Sequence, residues 1–179
     1  YTKGKVNYFP YVSKTYNSVT GFNENKVGTE IFVNTGTGKQ INLTLNPDFG
    51  QAESDEVIVN FSAQETFYSE KRAFFNENQS LFNLSHYDRY RVINTRRIGA
   101  KSSYDCGNSI DEDECNNAKK SYTDIDFALR YTQKNLNSDL GVFVAQESDE
   151  SFTRGKNFYA VRSKTCLLYT SDAADELLG

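Results

Sequence analysis

The chain has 179 residues, a net charge of −4, 12 Tyr, 13 Phe and no Trp. That length suits one ordinary domain, and the acidic balance argues against a nonspecific phosphate-backbone binder, so no nucleic-acid partner is expected. No run of 18 apolar residues is present, which excludes a helical membrane span and leaves strand-built membrane proteins open.

Period-two alternation dominates the chain. The first predicted strand is Val6-Asn7-Tyr8-Phe9-Pro10-Tyr11-Val12. After a long polar connection, Val27, Thr29, Ile31 and Val33 point one way and Gly28, Glu30, Phe32 and Asn34 the other. Thr35-Gly36-Thr37-Gly38-Lys39 reads as a hairpin turn, and Ile41, Leu43 and Leu45 alternate with polar residues beyond it. Asn46-Pro47-Asp48 should stop that strand, because proline lacks a backbone donor and restricts its predecessor. Helical turns are plausible only within Ala63 to Leu84, and Arg91 to Ile98 is a weaker strand candidate. Ile125, Phe127, Leu129 and Tyr131 form the next apolar stripe. A short turn at Lys134 to Ser138 leads to Leu140, Val142 and Val144, and Phe158 to Val161 reads as the last strand.

Alternation of this kind fits a half-buried sheet in water or a strand in a bilayer. The bilayer reading gains from charges at strand centres (Glu30, Asp126 and Arg130), from aromatics near strand ends, and from short turns alternating with long loops. The discriminating expectation concerns Ile41, Leu43, Leu45, Ile125, Phe127, Leu129, Leu140, Val142 and Val144. A barrel leaves them as one exposed apolar band, whereas a sandwich covers them with a second sheet. With both short turns at one end, an extra crossing is expected between the strand at Ile41 and the strand ending near Thr132, over Glu56 to Phe67.

Cys106 and Cys115, with eight residues between them in a polar loop, read as a local disulfide and so as a sign of an oxidising compartment. The acidic run Asp111 to Glu114 inside that loop lacks EF-hand spacing, and His86 is the single histidine, so no metal and no cofactor is expected. Paired carboxylates among Asp48, Glu53, Asp55, Glu65 and Glu70 could suit glycoside hydrolysis, but nothing in their spacing selects an acid and a nucleophile. They read as salt-bridging groups, and the protein as no enzyme. The chain opens on Tyr1 and has no Met, which reads as an internal piece or a processed product. The stretch Cys166 to Glu176, CLLYTSDAADE, looks like a translated sequencing adapter, so residues 166–179 are expected to be a non-native tail and 1–165 the domain.

The segment from Leu43 to Phe82 carries long motifs. Asn46, Pro47, Asp48, Phe49, Gly50, Gln51, Glu53, Ser54 and Asp55 match a pattern N-P-D-F-[GS]-Q-V-E-[SA]-D, with Ala52 for the usual Val. Glu65, Thr66, Phe67, Glu70, Lys71, Arg72, Phe74, Phe75 and Glu77 match E-T-F-F-P-E-[KR]-R-x-F-F-x-E, with Ser69 in place of Pro. Arg96, Arg97, Ile98 and Gly99 match a following S-R-R-I-G, with Thr95 for Ser. In these motifs the chain resembles a bacterial family of unknown function whose members join an N-terminal domain, similar to family-9 carbohydrate-binding modules, to a C-terminal outer-membrane β-barrel. The resemblance implies an all-β fold of antiparallel strands, part of an outer-membrane-type barrel, with residues 46–84 as a long irregular insertion. It implies the bacterial outer membrane as location and the lipid bilayer as partner. An oligosaccharide ligand would come through the N-terminal domain, which would lie before Tyr1. The charge balance of the insertion against Lys71, Arg72, Arg96 and Arg97 suggests that it packs inside the barrel or across its mouth and constricts it. The function implied is ligand passage or binding at the cell envelope. The alternative is a secreted or periplasmic all-β module that binds or processes glycans.

Overall fold

A computed structural model describes residues 4–18, 21–48, 70–82, 92–104, 106, 112–117, 119–120 and 122–166. Six strands make one antiparallel sheet: β1 (Lys5–Asn17), β2 (Phe22–Asn34), β3 (Lys39–Leu45), β4 (Ile125–Lys134), β5 (Ser138–Glu147) and β6 (Asn157–Thr165). The spatial order is the chain order, β1-β2-β3-β4-β5-β6. The sheet is not closed into a barrel; β1 and β6 are its edges. Among the described residues there are three short helices, α1 (Ala73–Asn76), α2 (Gln79–Phe82) and α3 (Glu112–Asn117).

Both short hairpins form where the glycine-rich and polar turns demand them. Gly36 and Gly38 sit at φ 73° and 78°, in the left-handed region that glycine enters without a Cβ clash. β3 pairs directly with β4, Leu43 opposite Leu129, so no strand stands between them. The expected extra crossing is therefore wrong: strands that rise and descend between turns at one end are already antiparallel neighbours. Its candidate, Glu56 to Phe67, lies outside the described residues.

The register assigns a face to every residue. Val33, Ile41, Tyr131, Val142 and Val161 lie in one cross-strand row, and Ile31, Leu43, Leu129, Val144 and Tyr159 in the next. None of these ten residues is buried, and on the same face Val12, Val27, Tyr159 and Val161 are each more than 60% exposed. No described element covers it. One expectation for this face fails. Ile125 is buried on the opposite face, because a register shift between Ile125 and Phe127 reverses the alternation there.

The opposite face is covered. Phe74, Phe75, Leu81 and Phe82 from α1 and α2 pack with Ile98 onto Ile125, Ala128, Phe143, Ala145 and Ala160. Small residues in the sheet make room for the aromatic rings. At Gly141 an added Cβ would lie 2.6 Å from Leu81 Cδ2 and 2.9 Å from Phe82 Cζ. Gly141→Val should therefore cost about 1–3 kcal/mol by forcing α2 off the sheet, read as a lowered urea midpoint with unchanged strand content by circular dichroism.

The expected helical turns within Ala63 to Leu84 are present as α1 and α2. The weak strand candidate at Arg91 to Ile98 is no strand over its described residues, 92–98. Thr95–Arg97 is a 3-10 turn, set by Asn94, whose side chain accepts from the Arg96 N–H at 3.2 Å.

Candidate functional site

The motif residues fall at three places on the sheet. Asn46, Pro47 and Asp48 end β3 beside β1 and β2. Asn46 is held at φ 48°, a conformation asparagine tolerates better than most residues. Its Nδ2 donates to the Val27 carbonyl at 2.6 Å, and its own carbonyl accepts from Tyr11 Oη at 2.7 Å. The Asp48 N–H donates back to Tyr11 Oη at 3.1 Å, and Asp48 Oδ2 accepts from Ser13 Oγ at 2.6 Å. Gly28 lies beneath this knot. A Cβ there would meet Tyr11 Oη at 2.3 Å and the Asn46 carbonyl at 2.5 Å. The N-P-D motif thus fastens the end of β3 across two neighbouring strands.

The second place is the Glu70–Arg72 pair. Arg72 Nε and Nη2 donate to the two carboxylate oxygens of Glu70, each at 2.8 Å. Nη1 also donates to the Ile98 carbonyl and Nη2 to the Thr95 carbonyl, both at 2.8 Å. The guanidinium stands 4.2 Å from the Phe75 ring centroid. The Glu70 side chain is fully buried. Only a planar five-donor group can satisfy a carboxylate and two carbonyls at once. Arg72 thereby joins the E-K-R motif to the R-R-I-G turn, the 3-10 turn that contains Arg96 and Arg97. Lys71 and Arg97 themselves are exposed.

The third place is under α1. Arg130, 2% exposed, donates from Nη1 to the Phe74 carbonyl and from Nη2 to Glu77 Oε2 at 2.6 Å. Asn42 Nδ2 donates to the same Glu77 oxygen. Phe74 lies beneath the Arg130 guanidinium, 5.0 Å from it to the ring centroid. Sequence reading noted Arg130 as a strand-centre charge but left Asn42 and its role unassigned. Their shared signal is parity, since both fall on the polar side of their strands.

Two further groups lie outside the motifs. Glu147, 3% exposed, accepts from the backbone N–H of Gly99 at 2.9 Å and of Lys156 at 3.0 Å. At the long-loop end, Asp124 accepts from Lys26 and Lys120, and Lys120 also donates to Glu150 at 2.9 Å. Tyr104 Oη donates to Glu150 at 3.2 Å, and Tyr122 Oη donates to Glu24 at 2.8 Å. Cys106 and Cys115 are disulfide-bonded close in sequence to Tyr104, with Cα atoms 5.7 Å apart. Phe49, Gln51, Glu53, Asp55, Glu65 and Phe67 lie outside the described residues. Among the described residues no cluster of three or more His, Cys, Asp or Glu could hold a metal ion.

Burial alone would raise the Glu70 carboxyl, but the hydrogen bonds and charge of Arg72, with Thr95, hold it below the ordinary carboxylate range. Asp124 behaves alike: burial pushes it up, and Lys26 and Lys120 outweigh that and bring it down. Lys120 is opposed by burial yet raised by its bonds to Glu150 and Asp124. The signs fix the acid response. A carboxyl whose folded pKa is depressed stabilises the fold above its unfolded value, near about 4, and loses that contribution as pH falls through the folded value. Stability should hold between about pH 5 and 8 and fall below about pH 4. Glu70→Gln should flatten that fall, as seen in urea midpoints measured down a pH series.

These features define an all-β chain whose described motif residues are tied to one another by the buried Glu70–Arg72 pair and to one face of an open antiparallel sheet by the Arg130–Glu77 pair. The chain belongs to the DUF5916 family, a domain of unknown function whose model matches residues 3–154. No curated protein and no solved structure matches it.

Proposed function

We propose that this sheet is a section of the wall of a bacterial outer-membrane β-barrel, and that the protein passes or binds a ligand at the cell envelope without catalysing a reaction. The observation that carries the proposal is the opposite character of the two faces across all six strands. One face is apolar and uncovered from Val6 on β1 to Val161 on β6. The other holds buried polar residues: Arg130 and Asn42 bonded to Glu77, Glu147 bonded to the Gly99 and Lys156 N–H groups, and Lys26 paired with Asp124. A water-soluble protein rarely leaves so continuous an apolar face bare. A bilayer accepts it, and the charged groups then sit in the barrel interior, where they are paired. No described helix is long and apolar enough to cross a membrane, so the strands would be the spanning elements.

The unpaired edges of β1 and β6 must find strand partners in lipid, because an open edge leaves backbone groups unsatisfied there. The motif segment, fixed by Arg72 and Arg130, would narrow the interior. A glycan ligand is the class favoured by the resemblance to proteins with carbohydrate-binding-like domains. The test is expression of the complete parent gene in a Gram-negative host, followed by gel migration of outer-membrane fractions with and without boiling. Heat-modifiable migration in that fraction is the expected result. A soluble product with unchanged migration would sink the barrel and leave the secreted or periplasmic glycan-binding or glycan-processing module as the reading to pursue.

A further inference from the structure

α1 and α2 cover the sheet from β3 to β6 but stop short of β1 and β2. Between them lies an open groove of about 350 Å³, lined by Phe9, Glu30, Phe32, Asn42, Phe74 and Glu77. Phe9 stands directly opposite Glu30, and Phe32 directly opposite Asn42. The two carboxylates of the groove differ. Glu77 is committed to Arg130 and Asn42. Glu30 is half-buried and has neither an ion pair nor a hydrogen bond among the described residues. Thr44 stands directly opposite on β3, fully buried, with a hydroxyl that lacks any partner among the described residues. Among the described residues Glu30 therefore has no cationic partner in a groove walled by three phenyl rings.

That combination selects a ligand. A carboxylate in a partly dry, apolar setting attracts cations more strongly than it does in water. Phenyl faces attract them too, and most strongly those that shed water easily, as quaternary ammonium groups do. Phe74 already presents a face to one cation, the Arg130 guanidinium. A neutral ligand would leave Glu30 unmatched, and an anion would be repelled by it.

We infer that this groove binds a small organic cation bearing a quaternary ammonium group, with Glu30 supplying the countercharge and Phe9, Phe32 and Phe74 the walls. The inference holds whether the bare sheet face meets lipid or water, so its test is separate from that of the barrel. The full-length protein in nonionic detergent is titrated by calorimetry with choline chloride at constant ionic strength. A parallel titration uses 3,3-dimethyl-1-butanol, the uncharged carbon isostere of choline. Saturable choline binding is expected, at least about 10-fold tighter than binding of the alcohol. Glu30→Gln should weaken choline about 10-fold and leave the urea midpoint unchanged, since the carboxylate has no partner to lose among the described residues. Phe9→Leu, at a residue 56% exposed, should weaken it several-fold without unfolding the protein. Equal affinity for choline and the alcohol overturns the inference. So does an absence of saturation up to about 50 mM choline, or a Glu30→Gln protein that binds choline as the parent does.

Discussion

Arg72→Leu should destabilise the protein by about 3–5 kcal/mol, the range expected when one partner of a buried ion pair is removed. Three losses coincide in that substitution. Glu70 would keep a fully buried carboxylate with no guanidinium beside it, and the Thr95 and Ile98 carbonyls would each lose a donor. The Phe75 ring would also lose the planar group lying over it. Glu70 would respond by taking up a proton, so the deficit should be largest near neutral pH and shrink as the solution is acidified. The double variant Glu70→Leu/Arg72→Leu should recover part of the loss, because no charge is left stranded. Urea unfolding of the three variants beside the parent measures both effects. A loss below about 1 kcal/mol for Arg72→Leu would mean that the pair behaves as a surface contact.

The second large effect is expected on the bare face. Leu129 lies on β4, between Leu43 of β3 and Val144 of β5, at the centre of the sheet. If that face meets lipid, Leu129→Arg should cost about 2–4 kcal/mol in a bilayer, as arginine does near the midplane of a barrel wall. Gln133→Arg, one residue from the end of the same strand, should cost about 1 kcal/mol or less, because there the guanidinium reaches the interface. The measurement is folding of the complete protein into liposomes across a denaturant series. If the face meets water, both changes should stay within about 0.5 kcal/mol. The depth dependence thus separates lipid from water more sharply than either variant alone.

The strands were legible because their two faces differ in chemistry along their whole length. Ile41-Leu43-Leu45 and Leu140-Val142-Val144 show the period without interruption, and both hairpin turns carry residues that only turns favour. Ile125 was misplaced because an irregularity of the ladder is invisible in a list of apolar residues. Asp126 takes no place in the β4–β5 register, while its carbonyl accepts from Asn46 and its carboxylate from Ser148. The segment Arg91 to Ile98 has strand-like residues, but Asn94 offers the backbone a competing local bond. The motifs were legible as motifs and silent as machinery. Arg72 finds its two carbonyl partners 23 and 26 residues away, and Arg130 finds Phe74 across 56. Such pairings follow from the packed arrangement, and no spacing rule announces them. Glu30 was read only as one of several strand-centre charges. Its distinction, the lack of a partner among the described residues, needed the neighbours on three strands.

The direct seam between β3 and β4 has a consequence for how the sheet comes together. On either side of it stand three strands joined by local connections, and each trio can zip up from its own turns without waiting for the other. The seam joins residues far apart in sequence, so it bears the chain's largest closure entropy. It also faces an ambiguity, because sliding β4 past β3 by two residues would keep every apolar side chain on its proper face. What distinguishes the true alignment is the set of bonds that span both trios. Arg130 and Asn42 meet on Glu77, and the Asn46 N–H reaches the Asp126 carbonyl at 2.7 Å. The motif segment is in this sense a gauge block: two prefabricated panels meet, and its polar contacts fix where they stop.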